Sequence, residues 1–120
     1  MFHVKREWMN MSDEILIDTR GLTAALQRFA DERDWNRHHS PRNLVLALVG
    51  EVGELAEIFQ WLGDDGAAAL RDDSARFTHL QEEIADVLLY LTRLAMVTGV
   101  DLDQAVRDKM VKNAIKYPAP

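Results

Sequence analysis

Apolar residues recur at helical spacing through nearly all of the chain after Asp18. Between Asp18 and about Arg33, the positions Leu22, Ala25, Leu26, Phe29 and Ala30 fall on one face, predicting a first helix with Asp18 or Thr19 as its N-cap. The stretch DWNRHHSPRN is rich in turn formers, and Ser40-Pro41 sets a cap and a first-turn proline before a strongly apolar segment. A second helix is expected from about Pro41 to Leu62, stopped by Gly63-Asp64-Asp65-Gly66, with a short helical turn at Ala67 to Leu70 in the connection that follows. A third should span about Ser74 to Thr98 and end at Gly99. Its stretch Ile84 to Leu91 is nearly all apolar, which implies burial on more than one side. Asp101 with Gln104 forms a capping-box signature for a fourth helix, running through Val106 and Met110 to about Tyr117 before Pro118 ends it. No strand-length segment alternates with period two, so the expected class is all-α, a four-helix arrangement with short connections.

Projected at about 100° per residue, the second helix carries Leu44, Leu48, Leu55 and Ile58 on one stripe, and Glu51 falls in its middle with Glu54 at the edge. Glu57 lies well outside it. The third helix repeats the pattern: Leu80, Ile84, Val87, Leu91 and Leu94 form a stripe, flanked by Glu83, Asp86 and Tyr90. Asp86 has no cation within a helical turn, and Arg93 lies too far along the axis to pair with it. A single acidic pair is usually solvated surface. Two pairs intruding on apolar faces of helices long enough to pack side by side are better explained as one four-carboxylate cluster. All-oxygen ligands suit a hard cation, Mg2+ or Mn2+, that cancels the repulsion. A di-iron bundle would need Glu-x-x-His on two helices, and no such motif occurs.

Composition narrows the remaining choices. The 120 residues are 48% hydrophobic and contain no cysteine, which fits one compact domain without disulfides, a thiolate nucleophile or Cys-ligated zinc. The first ten residues, MFHVKREWMN, mix charge and aromatics without periodicity and lack the apolar core of a signal peptide, and Met11 could itself be a start codon. Residues 1–17 are therefore read as a disordered extension, and 18–118 as the folded domain. A net charge of -6 argues against a polymeric nucleic-acid partner, and the longest apolar run, Leu44 to Val49, is too short to cross a bilayer. A soluble, cytoplasmic protein is the expectation.

The fourth helix supplies the opposite sign. Lys109 and Asn113 share a projected stripe with Leu102 and Val106, with Lys112 and Lys116 alongside. Lysines near a helix C-terminus also snorkel and favour the macrodipole, so they serve equally as ordinary surface or as a phosphate clamp facing the acidic cluster. Trp35, Trp61 and Tyr90 are placed to wall a planar base beside that cluster, and His39 lies in the same loop as Trp35.

The segments RDWNRHHSPRNLVLALVGEVGELAEIFQW and LQEEIADVLLYL resemble the MazG-like all-α nucleoside triphosphate pyrophosphatases, most closely their dCTP pyrophosphatase branch. The resemblance covers about Leu22 to Pro118. It rests on Glu51-x-x-Glu54 followed by Glu83-x-x-Asp86, supported by Lys109-x-x-x-Asn113-x-x-x-Tyr117-Pro118. It implies Mg2+-dependent hydrolysis of a nucleoside triphosphate to the monophosphate and pyrophosphate, with Glu51, Glu54, Glu83 and Asp86 as metal ligands. Glu54 or Glu51 would also orient the attacking water. Trp35, His39, Trp61 and Tyr90 would meet the base, and Lys109, Asn113 and Lys116 the phosphates. One position departs from the branch: where it carries a base-contacting histidine in the first helix, this chain has Leu26, which offers no hydrogen bond to a cytosine edge. The implied substrate is dCTP-like or a modified pyrimidine nucleotide.

Gly50 and Gly53 inside the second helix each cost about 1 kcal/mol relative to alanine, which a close approach of another helix would offset. With a second weakly polar face at Ala85, Leu89, Thr92 and Met96, and with the resemblance, this leads to an expected homodimer or homotetramer. Two alternatives compete. A non-catalytic helical interaction module would have no Mg2+ site, and a phosphoribosyl-ATP pyrophosphohydrolase would share the carboxylates but not the aromatic loop.

Overall fold

The computed structural model describes residues 14–64 and 66–120. Most of the N-terminal extension, through residue 13, lies outside the described residues, as does Asp65 in the expected turn. The rest forms five α-helices: α1 (Arg20–Glu32), α2 (Pro41–Phe59), α3 (Gly66–Asp72), α4 (Ser74–Thr98) and α5 (Leu102–Lys116), with a 3-10 turn at Asn36–His38 between α1 and α2. No strand occurs among the described residues. The extra helix relative to the four expected is α3, the predicted turn grown to seven residues.

Local chemistry sets the boundaries. Ser40 Oγ accepts from the Asn43 N–H at 3.2 Å and Pro41 occupies the first turn, as the sequence pattern implies. Thr19 is the N-cap of α1 without a side-chain cap bond; Asp18 instead accepts from the Arg20 N–H and guanidinium. Helix α2 stops three residues short of Leu62, whose N–H turns back to the Phe59 carbonyl at 3.0 Å. The early stop lets Leu62 fold against Gly66, where an added Cβ would lie 2.8 Å from Leu62 Cβ. Gly99 ends α4 at φ 79°, with the Val100 N–H closing onto the Ala95 carbonyl at 2.9 Å. Only half of the capping box forms on α5: Asp101 accepts from the Gln104 N–H, while the Gln104 side chain turns to Asp108 and Arg107.

The long α4 is the central rod. Helix α2 packs along it most extensively, and α3 and α1 add smaller contacts, whereas α5 lies against little of the rest. The segment just before α1 reaches α5, because Asp103 Oδ1 accepts from the Leu16 and Ile17 N–H groups at 2.7 and 3.0 Å. Apolar burial is sparse: among the described residues only Ala30, Leu44, Leu70 and Ala95 are buried hydrophobics. The radius of gyration, 17.8 Å, is well above the about 14 Å of a compact domain this long.

The two long helices differ in how well their faces follow the sequence projection. On α2 the shielded stripe is Leu44, Leu48, Glu51, Leu55 and Ile58, as projected. On α4 Thr92 is wholly buried and Met96 partly so, while Ile84, Leu88 and Leu91 stand exposed. Of the face expected to meet another subunit, Leu89, Thr92 and Met96 are thus at least partly shielded within the chain, while Ala85 stays exposed. Ile84, Leu88 and Leu91 instead share the open surface with Val45, Leu46, Val49 and Val52 of α2. Nothing in the described chain comes within 4 Å of a Cβ added at Gly50 or Gly53, so no intrachain helix makes the close approach they would allow.

Candidate active site

Helical register brings the carboxylates together. Glu51 follows buried Leu44 by seven residues and precedes Leu55 by four, so α2 turns it toward α4. From α4 comes Glu83, only 6% exposed, with Asp86 one turn further on. Glu51, Glu83 and Asp86 each present a carboxylate oxygen, all within 4.8 Å of one another. Glu54 sits at the exposed edge, near enough for its charge to act on both Glu51 and Glu83.

Such a group is electrostatically unfavourable by itself. Burial, the close approach of the Glu83 carboxyl, and the charges of Glu54, Asp86 and Glu83 push Glu51 up to about 7. Burial also raises Glu83, with Glu54 and Asp86 adding to the rise. The Oε2 atoms of Glu51 and Glu83 are buried without a hydrogen-bond partner. Two orphaned carboxylate oxygens facing a third are what a divalent cation with hard oxygen preference would satisfy, so the donor set fits a metal ion. His79 stays aside, its Nδ1 3.9 Å from Glu83 Oε1.

Beside the acids lies a cavity of about 380 Å3 whose walls include Leu26, Phe29, Trp35, His39 and Tyr90. Its aromatic rim is built by edge contacts, Phe29 to Trp35 at 5.4 Å and Trp35 to His39 at 6.1 Å between ring centroids. Asp86 lines this cavity and also belongs to the acidic group. A ligand whose flat apolar part enters the cavity would therefore carry its polar end to the carboxylates.

Of the predicted base contacts, Trp35, His39 and Tyr90 line this cavity. Trp61 does not; it is 88% exposed beyond the end of α2. Lys109, Asn113 and Lys116 are exposed on α5, which packs little on the other described helices, and they are not among the residues that line the cavity or form the acidic group. Projection had placed Lys109 and Asn113 on the stripe of Leu102 and Val106, but those apolar residues are partly shielded while the two polar ones are not.

Arg93 was missed as a site residue. It is 5% exposed, lines the cavity, and donates to His39 Nδ1 at 2.9 Å. The available signal was a cation inside the apolar run VLLYLTRLAMV, where only a buried or interface role explains a charge.

A MazG-like family model matches residues 47–120, the segment that carries all four carboxylates. The chain belongs to the MazG-like family. This MazG-like chain is 50% identical over 107 residues to dCTP pyrophosphatase 1 of Bos taurus, covering 89% of the chain and 62% of that protein. To dCTP pyrophosphatase 1 of Homo sapiens it is 52% identical over 104 residues, covering 87% of the chain and 59% of that protein. It therefore spans about three fifths of the length of these curated relatives. A crystal structure of a pyrophosphatase from Archaeoglobus fulgidus superposes with a TM-score of 0.75 at 39% identity, covering 84% of this chain and 93% of that one.

Proposed function

We propose that this protein is a Mg2+-dependent nucleoside triphosphate pyrophosphohydrolase that converts a dCTP-like or modified pyrimidine nucleotide to the monophosphate and pyrophosphate. The observation that carries the reading is Asp86, shared between the acidic group and the aromatic cavity, because it puts a base site and a metal-binding site within one small molecule's length. The identity to the two dCTP pyrophosphatases supports the substrate class.

Glu51, Glu83 and Asp86 would hold the cation, with Glu54 completing the set from the exposed edge. A bound divalent ion supplies Lewis acidity at the α-phosphorus and acidifies water. Trp35 and Tyr90 stack or wall the base and fix the direction in which the triphosphate leaves the cavity. Glu54, being exposed, is free to orient a water and accept its proton as it attacks. Residues 18–118 would form the catalytic domain, working in the cytoplasm; no helix of the described chain is long and apolar enough to cross a membrane.

The reading includes a homodimer or homotetramer. The exposed apolar residues of α2 and α4 support it, and in such an assembly Lys109, Asn113 and Lys116 would be available to meet the phosphates.

A panel of deoxynucleoside triphosphates with Mg2+, followed by product analysis, tests the reaction. Pyrophosphate and monophosphate should appear, cytosine nucleotides should be preferred, and Asp86→Asn and Glu54→Gln should each abolish turnover without loss of helicity. Release of orthophosphate alone would overturn attack at the α-phosphorus.

A further inference from the structure

The guanidinium of Arg93 is buried, and among the described residues no carboxylate is bonded to it. Its Nε donates to His39 Nδ1 at 2.9 Å, one terminal nitrogen to Gln27 Oε1 at 2.9 Å and the other to Asn36 Oδ1 at 2.6 Å. The two amides turn their NH2 groups to the same Asp31 oxygen, Gln27 at 2.8 Å and Asn36 at 2.7 Å. The positive charge of α4 is thus relayed through two amides to an acid on α1, and the loop bearing Trp35 and His39 is fastened to both helices. Donor and acceptor inventory fixes every orientation here: arginine has only donors and an ionised aspartate only acceptors, so each amide must give oxygen to one and nitrogen to the other.

The same inventory decides the imidazole. A nitrogen that accepts from a guanidinium N–H cannot itself carry a proton, so His39 has its lone pair on Nδ1 and, when neutral, its proton on Nε2. Burial, together with the Arg93 and His38 charges, lowers His39 from its ordinary value, which favours the neutral ring. Nε2 has no protein partner among the described contacts, and the ring lines the cavity.

We infer that Arg93 is a specificity-positioning residue: it locks His39 in the Nε2–H tautomer, so that the cavity offers the base a hydrogen-bond donor. The inference rests on the reading of this cavity as the base site. A donor suits a base edge that presents a lone pair, as ring N3 of cytosine does, and opposes one that presents N–H, as N3 of thymine does. Leu26 adds no polar group to the cavity, so the donor that His39 presents is set by Arg93 and not by α1.

Two measurements test this separately from hydrolysis. Two-bond 1H–15N correlation spectra of the full chain with 15N-histidine should show His39 with an unprotonated Nδ1 and a protonated Nε2. In Arg93→Met that signature should give way to a tautomer mixture, while Arg93→Lys, which keeps a donor, should retain it in part. Binding of α,β-methylene analogues of dCTP and dTTP with Mg2+ should favour the cytosine analogue by about tenfold or more in the wild type and by less than about threefold in Arg93→Met, the size of one hydrogen bond. A wild-type spectrum showing Nδ1–H would overturn the inference even if no variant folds. So would equal binding of the two analogues, or an unchanged preference in a folded Arg93→Met. Loss of hydrolysis with the tautomer and the binding preference intact would instead defeat the pyrophosphatase reading alone.

Discussion

At the scale of single residues, Glu51 shows how a side chain can be legible in sequence while its state is not. Its place on the apolar stripe of α2 follows from spacing, and so does its meeting with Glu83 and Asp86 once two such helices pack. Its protonation depends on burial and on three neighbouring acids, which only the folded arrangement supplies. Raised to about 7 from an ordinary 4.5, it favours the folded metal-free protein most fully below pH 4.5, and that contribution is lost as pH rises through 7. Thermal midpoints in EDTA should fall across this window. Glu51→Gln, which cannot ionise, should flatten that part of the curve, and added Mg2+ should stabilise the wild type most at its alkaline end. Arg93 was harder to read: its three partners come from α1, the 3-10 turn and the loop after it, and no spacing rule links positions so far apart in the chain.

At the scale of elements, caps and breakers were the legible part. Ser40, Gly99 and Asp101 all end or begin helices where sequence signals place such events, while α2 was overestimated because Leu62 turns back to the Phe59 carbonyl and packs against Gly66, a turn that helical periodicity does not show. Gly99 is the sharpest test of this local logic. Its φ of 79° admits glycine freely and resists a Cβ, although nothing crowds the site. Gly99→Ala should therefore destabilise by about 1 kcal/mol through backbone strain alone, measured by urea unfolding with an unchanged slope. The projected stripe of α4 holds only in part, with Leu80, Val87 and Leu94 partly shielded but Ile84 and Leu91 exposed. A helix apolar on several sides has no unique projection, and which side meets α1 and which stays open is set by the partners available.

For the whole molecule, four buried hydrophobics among the described residues and an expanded radius describe a core that is small for a chain of this length. Val45, Leu46, Val49 and Val52 on α2 and Ile84, Leu88 and Leu91 on α4 all stand exposed, apolar side chains suited to cover by a second copy of the chain. Sedimentation should find a species larger than 13.7 kDa, and Leu46→Asp, at a position 60% exposed in the single chain, should shift it toward monomer. A wild-type monomer at micromolar concentration would refute the assembly. Composition gave no hint of this, since an apolar residue destined for a core and one destined for an interface look alike in a sequence.

Asp86 has one more consequence. Because the same carboxylate borders the acidic group and the aromatic cavity, occupancy of one place changes the electrostatics of the other. Linkage then makes the effect reciprocal: whatever factor an ion adds to nucleotide affinity, the nucleotide must add to ion affinity. On the proposed reading, scarce magnesium would be felt less as slower chemistry than as a pocket that lets a nucleotide go.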